Sequence, residues 1–227
     1  TVSAGETYNL IGKLTDEYGN PLENILISSR DDSARTDFIG NVLLGPLTRT
    51  VAGTYDETLS AQNLSNTATL TVVPAGPAKL TSESTSITKT AGESGTFTLT
   101  LEDEFGNSIN GETINITSAA GLAGIATGDT ATTVGDGSVT FSFNETTTGT
   151  YNVGFSLLGT AITASSMVTI NPDAPDEIEV TLLTLSTTVS NEFGDDLEFT
   201  PKVTVFDQYN NRVPDVDIGL STLGKDI

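Results

Sequence analysis

The side chains of this sequence that could do chemistry are carboxylates. Thirty Asp and Glu residues stand against nine Lys and Arg, and neither His nor Cys occurs. Without imidazole or thiol the chain lacks the usual general base, the thiol nucleophile and the commonest zinc ligands. Carboxylates suit a hard cation instead, which gathers several of their oxygens together with backbone carbonyls. Calcium is the ion to consider, and the candidate ligands are Asp16 with Glu17, Asp103 with Glu104, and the set Asp173, Asp176 and Glu177. Asp31 with Asp32 and Asp195 with Asp196 could contribute. No stretch matches an EF-hand loop or a glycine-aspartate nonapeptide, and the alternative for each pair is a solvated turn. Paired carboxylates also serve glycoside hydrolysis, but these sit mostly in repeated turns and linkers, where solvation accounts for them. The chain is expected not to be an enzyme and to require no cofactor.

Three sequons, at Asn63, Asn115 and Asn144, are candidate glycosylation sites. Ser and Thr make up about a quarter of the chain, so roughly that many sequons arise by chance. A Lys-to-Asn crosslink through Lys13, Lys89 or Lys202 is chemically conceivable, yet no spacing favours it over a solvated lysine.

The elements that must carry these residues follow from composition. Thr, Ser, Val and Ile are abundant and aromatic content is 6%, a supply suited to several thin β-sandwiches better than to one thick core. A net charge of −21 repels phosphate backbones and anionic lipid, so nucleic acid is not an expected partner. No apolar run approaches the roughly 20 residues that span a bilayer, so direct membrane insertion is not expected. The opening TVSAGETYNL lacks the basic start and apolar core of a signal peptide, and STLGKDI stops within a repeat. The chain is therefore expected to be an excerpt of a longer one.

Self-comparison finds one unit three times. AGETYNL begins at Ala4 and AGESGTF at Ala91, an offset of 91 − 4 = 87, which carries Asp16, Tyr18, Gly19 and Asn20 onto Asp103, Phe105, Gly106 and Asn107. A looser third copy offers Asp207, Tyr209, Asn210 and Asn211. Gly53, Thr54 and Tyr55 recur as Gly149, Thr150 and Tyr151 at an offset of 96, which predicts an insertion in the Gly-, Ala- and Thr-rich stretch 119–137. Paired prolines, Pro74 with Pro77 and Pro172 with Pro175, end strands and begin short semi-rigid linkers. The expected modules are 1–76, with its first strand missing, 77–174, and 175–227 as the first half of a third.

Apolar residues alternate at period two, as in Phe97, Leu99 and Leu101, in Val139, Phe141 and Phe143, and in Leu197, Phe199, Val203 and Val205, the last set crossing Pro201 at an edge or bulge. The fold class this predicts is all-β, as tandem antiparallel β-sandwiches. DEYGNPL, DEFGNSI and DQYNNRV are each turns: Asp bonds the backbone two residues on, Gly or Asn accepts positive φ, and the aromatic covers a sandwich end. Asn210 in place of Gly should leave the turn intact.

This aromatic-Gly-Asn turn, followed by an apolar residue and a Val/Ile-rich strand, resembles the bacterial immunoglobulin-like repeats of invasin- and intimin-type proteins and is similar to filamin-type repeats. The resemblance implies an extracellular rod at the cell surface, used as an adhesin shaft or a surface-layer subunit. Its implied partners are neighbouring modules of the same chain and identical subunits in a surface assembly. A carbohydrate- or receptor-binding module and an accessory region of a secreted hydrolase are the alternatives, since one sandwich serves many roles.

Overall fold

The computed structural model describes residues 1–182 and 201–219, and among these every regular element is a strand. The first module contains β1 (Val2–Ser3), β2 (Thr7–Lys13), β3 (Leu26–Ser28), β4 (Ser33–Arg35), β5 (Asn41–Thr48), β6 (Gly53–Ala61) and β7 (Leu64–Val73). The second contains β8 (Pro77–Ser82), β9 (Ser86–Thr90), β10 (Ser94–Asp103), β11 (Thr113–Ser118), β12 (Thr130–Thr132), β13 (Ser138–Asn144), β14 (Gly149–Leu157) and β15 (Thr163–Asn171). The third contributes β16 (Pro175–Leu182) paired antiparallel with β17 (Pro201–Asp207). Pro201 opens β17, a position where a missing N–H costs no interior ladder bond; Leu197, Phe199, Asp195 and Asp196 lie outside the described residues.

The second module is a two-layered sandwich. One sheet runs β13-β10-β8 and the other β12-β11-β14-β15-β9. Alternation along β10 sends Phe97, Leu99 and Leu101 inward, and β13 and β14 answer with Val139, Phe141, Phe143, Val153 and Phe155. Phe97 meets Phe143 at 4.9 Å between ring centroids and Phe155 edge-on at 5.3 Å, geometries in which aromatic pairs attract beyond their buried area. Every buried residue of this core lies between Leu80 and Ile170.

Sequence alternation predicts antiparallel sheets, and most pairs are; the exceptions are β9 with β15 and β1 with β7, which run parallel. The chain enters the second module as β8 beside β10, then crosses at residues 83–85 to lie against β15 in the other sheet. That switch caps an edge in each sheet, which protects both from pairing with other chains.

In the first module the layers are β1-β7-β6-β3-β4 and β2-β5, around the buried Ile27, Val42, Leu44 and Ala61. Among the described residues β2 pairs only with β5, whereas its counterpart β10 has β8 on its other side. The open side of β2 lines a cleft of about 430 Å³ that includes Leu10, Gly12, Leu59 and Ala61. The predicted insertion is found in the β11–β12 connection, residues 119–129, against residues 29–32 between β3 and β4. It tucks Leu122 into the core and ties back through the Ala123 N–H, which donates to Glu145 Oε2.

Candidate module-junction interface

The second and third copies of the repeated turn lie where modules meet. In the second module Asp103 Oδ1 accepts the N–H groups of Phe105 and Asn107, and Oδ2 accepts Asn107 Nδ2. These bonds, with Gly106 at φ 82°, fix the turn in one shape. Three groups then point out of it at the preceding module. Asn107 Nδ2 donates to the Thr50 carbonyl at 2.8 Å, and the Ala52 N–H donates to Asn107 Oδ1 at 2.8 Å. The Ala75 N–H, in the linker, donates to Asp103 Oδ2 at 2.8 Å. The Phe105 ring lies so close over Gly5 that a Cβ there would strike its edge.

The second junction repeats the first group for group. Asp207 Oδ1 accepts from the Tyr209 and Asn211 N–H groups, and Oδ2 accepts the Asp173 N–H from the linker at 2.9 Å. Asn211 Nδ2 donates to the Thr146 carbonyl at 2.7 Å, and the Thr148 N–H donates to Asn211 Oδ1 at 3.0 Å. The Tyr209 ring covers Gly92, the counterpart of Gly5. Asn210, standing where the other copies have Gly, takes φ 67°, so the turn keeps its shape.

The receiving loops are built to hold still. Tyr55 Oη donates to the Val51 carbonyl and Tyr151 Oη to the Thr147 carbonyl, each at 2.8 Å, which is the tyrosine corner of immunoglobulin sandwiches. Behind them the two modules use different charges. In the first, Arg49 pairs with buried Glu57 at 2.6 Å, Glu57 Oε1 also accepts from Tyr8 Oη, and the guanidinium lies 4.1 Å from the Tyr55 ring centroid. In the second, Glu145 accepts the N–H groups of Ala123, Thr146 and Thr147.

Asp103 and Asp207 are each only 3% exposed, yet among the described residues no cationic side chain pairs with either. Burial alone would push both carboxyls up, but hydrogen bonds from the Asn side chain, the linker N–H and the turn N–H groups outweigh it and hold both below the ordinary Asp value. Burial likewise opposes ionisation of Glu145, and its backbone donors win. The charge at each junction is therefore carried as an anion solvated by peptide groups.

The sequence-predicted site residues are dispersed by comparison. Glu17, Glu104, Asp176 and Glu177 are exposed, and Asp173 Oδ2 accepts from Gln208 Nε2 at 2.6 Å. Asp31 pairs with Arg30, while Asp32 accepts the N–H groups of Ser33 and Gly45. Among the described residues no group of three or more acidic side chains is arranged around a common point. Asn63 is exposed in the β6–β7 turn. Asn115 accepts from Ser156 Oγ, and Asn144 Nδ2 donates to the Gly92 carbonyl and Ser94 Oγ. What sequence reasoning missed is the reach of Asn107 and Asn211 into the neighbouring module. The available signal was the fifth turn position, which stays Asn in all three copies even where the fourth changes from Gly.

No family model matches the chain, and no curated protein does. Among solved structures, FdeC, an Escherichia coli adhesin, superposes with a TM-score of 0.56 at 22% identity over 93% of this chain and 72% of that one. Invasin, a bacterial integrin-binding protein, gives 0.47 at 19% over 93% and 45%, and surface layer protein SbsC domains 4–9 gives 0.35 at 19% over 90% and 32%. The fold is that of immunoglobulin-like β-sandwich modules.

Proposed function

We propose that this chain is a structural segment of an extracellular cell-surface protein, a rod of immunoglobulin-like modules serving as an adhesin shaft or a surface-layer subunit. The observation that carries the proposal is the repetition of one set of junction contacts, group for group, at both module boundaries. Modules joined only by a flexible linker move relative to one another by default. Here the linker N–H is pinned to the same buried carboxylate that shapes the turn, so linker and interface are one unit. A site for substrate has no comparable support, since the polar groups at each junction are spent on one another. The acidic composition also suits a solvated surface exposed to salt.

Small-angle scattering on the chain tests the rod, which should give an extended particle of fixed profile across temperature. A compact particle, or a profile typical of independently tumbling modules, would overturn it. Antibody raised against the segment should label intact cells of its source; signal that emerges only after lysis would remove the surface assignment.

A further inference from the structure

We infer that the first copy of the turn, Asp16 to Asn20, is a docking surface for the pole of a further module of this same repeat, presented from its N-terminal side. The inference rests on the rod proposed above and assigns a partner to one of its ends. Three observations lead to it. The turn is already in the docked shape: Asp16 Oδ1 accepts the Tyr18 N–H at 3.0 Å and the Asn20 N–H at 2.8 Å, Oδ2 accepts Asn20 Nδ2 at 2.9 Å, and Gly19 has φ 85°. These are the internal bonds of the two engaged copies. The difference is exposure, since the Tyr18 ring is 81% exposed where Phe105 is 40% and Tyr209 is 39%. Finally, β2 (Thr7–Lys13) lies between Gly5, which Phe105 covers, and Asp16, so the turn sits at the pole opposite the occupied one.

The complementary surface is known in chemical detail because it is present twice in this chain. It consists of a glycine in an Ala-Gly-Glu turn for the Tyr18 ring to cover, and a carbonyl and an N–H two residues apart, held by a tyrosine corner, for Asn20. A linker N–H completes it at Asp16 Oδ2, as Ala75 and Asp173 do at the other turns. No segment has to fold on docking, so association loses little to ordering. The neighbouring turn at Asp37, tied to this one by the Leu14 N–H donating to the Gly40 carbonyl, adds the exposed Phe38 and Ile39 to the same pole.

The test is a chain in which residues 1–87 are repeated ahead of Thr1, with Tyr18→Phe in the added copy only. Residue 87 then leads into Thr1 as it does into Thr88, its equivalent at the 87-residue offset. Tyrosine nitration, read by peptide mass, compares the remaining Tyr18 with Tyr209 as an engaged internal standard. Docking predicts that Tyr18 nitration falls about twofold, to the rate of Tyr209, in line with exposures of 81% and 39%. Asn20→Ala in that chain should restore the faster rate. Tyr18 reacting as fast in the extended chain as in the original overturns the inference while a protected Tyr209 leaves the rod standing. Free reaction of Tyr209 would instead sink the rod itself.

Discussion

Asn107→Ala isolates the contact between the first two modules. The change deletes two bonds that cross the junction, Nδ2 to the Thr50 carbonyl and the Ala52 N–H to Oδ1, both 2.8 Å, together with the bond to Asp103 inside the turn. At about 0.5–1.5 kcal/mol net for each hydrogen bond, the two crossing bonds are worth about 1–3 kcal/mol. That loss should fall on the first module. Its buried core holds Ile27, Val42, Leu44 and Ala61, far less than the aromatic core of the second, so it unfolds first, while its neighbour is still folded and able to support it. With a urea slope of about 1–3 kcal/mol per molar, the first module's midpoint should drop by about 1 M. Hydrogen exchange read peptide by peptide through a urea series follows β2 and β5 separately from β10 and β14. Asn20→Ala, which removes the turn bond alone, supplies the local correction, and Asn211→Ala should leave β2 and β5 where they are. If Asn107→Ala leaves the β2 and β5 midpoint in place, or Asn211→Ala lowers it equally, the junction bonds are not what couples these modules.

Further outcomes follow from the same geometry. Gly92→Ala places a Cβ against the Tyr209 ring and holds a non-glycine residue at φ 80°; at about 1–2 kcal/mol for the left-handed conformation alone, exchange in β16 and β17 should quicken while β2 and β5 stay unchanged. Phe155→Ala empties the centre of the second core and should cost about 3–5 kcal/mol by chemical denaturation, a loss below 1 kcal/mol being incompatible with its contacts to Phe97 and Phe141. Tyr151→Phe removes one bond to the Thr147 carbonyl, worth about 1 kcal/mol, and should loosen the second junction but not the first. Asp103, Asp207 and Glu145 all have folded-state pKa values below their ordinary ones. The unfolded chain therefore binds more protons near and below those ordinary values, so the stabilisation is complete above about pH 5 and is lost as pH falls through the depressed values. An acid melting series that stays flat to pH 2 would contradict that sign.

Much of the architecture was legible because it is written in residue types. Period-two alternation placed Phe97, Phe141 and Phe143 inward, the offsets of 87 and 96 located the insertion, and Asn at 210 was readable as a tolerant substitute for Gly. The junction was half legible. Asp, aromatic and Asn were visible as a recurring turn, but their targets at Thr50, Ala52, Thr146 and Thr148 are backbone groups, and a carbonyl or N–H leaves no mark on residue type. The Tyr8, Arg49 and Glu57 cluster was hidden for a different reason. Its counterparts in the second module are Gly95, Glu145 and Val153, so comparison of the copies averages the cluster away. Gly95 there makes room for Phe143, directly opposite, whereas Tyr8 stands opposite Leu47, so the two modules fill the same site from different strands.

The ion pairs among the described residues each lie within a single module, and none bridges a boundary. Dissolved electrolyte weakens attraction between exposed opposite charges over about 8–10 Å at physiological strength, but it has little purchase on amide-to-carbonyl bonds or on a carboxylate wrapped in peptide N–H groups. The couplings between modules should therefore hold the same angle in dilute fresh water and in brine, while the surface around them, at −21, draws in or sheds its counterions.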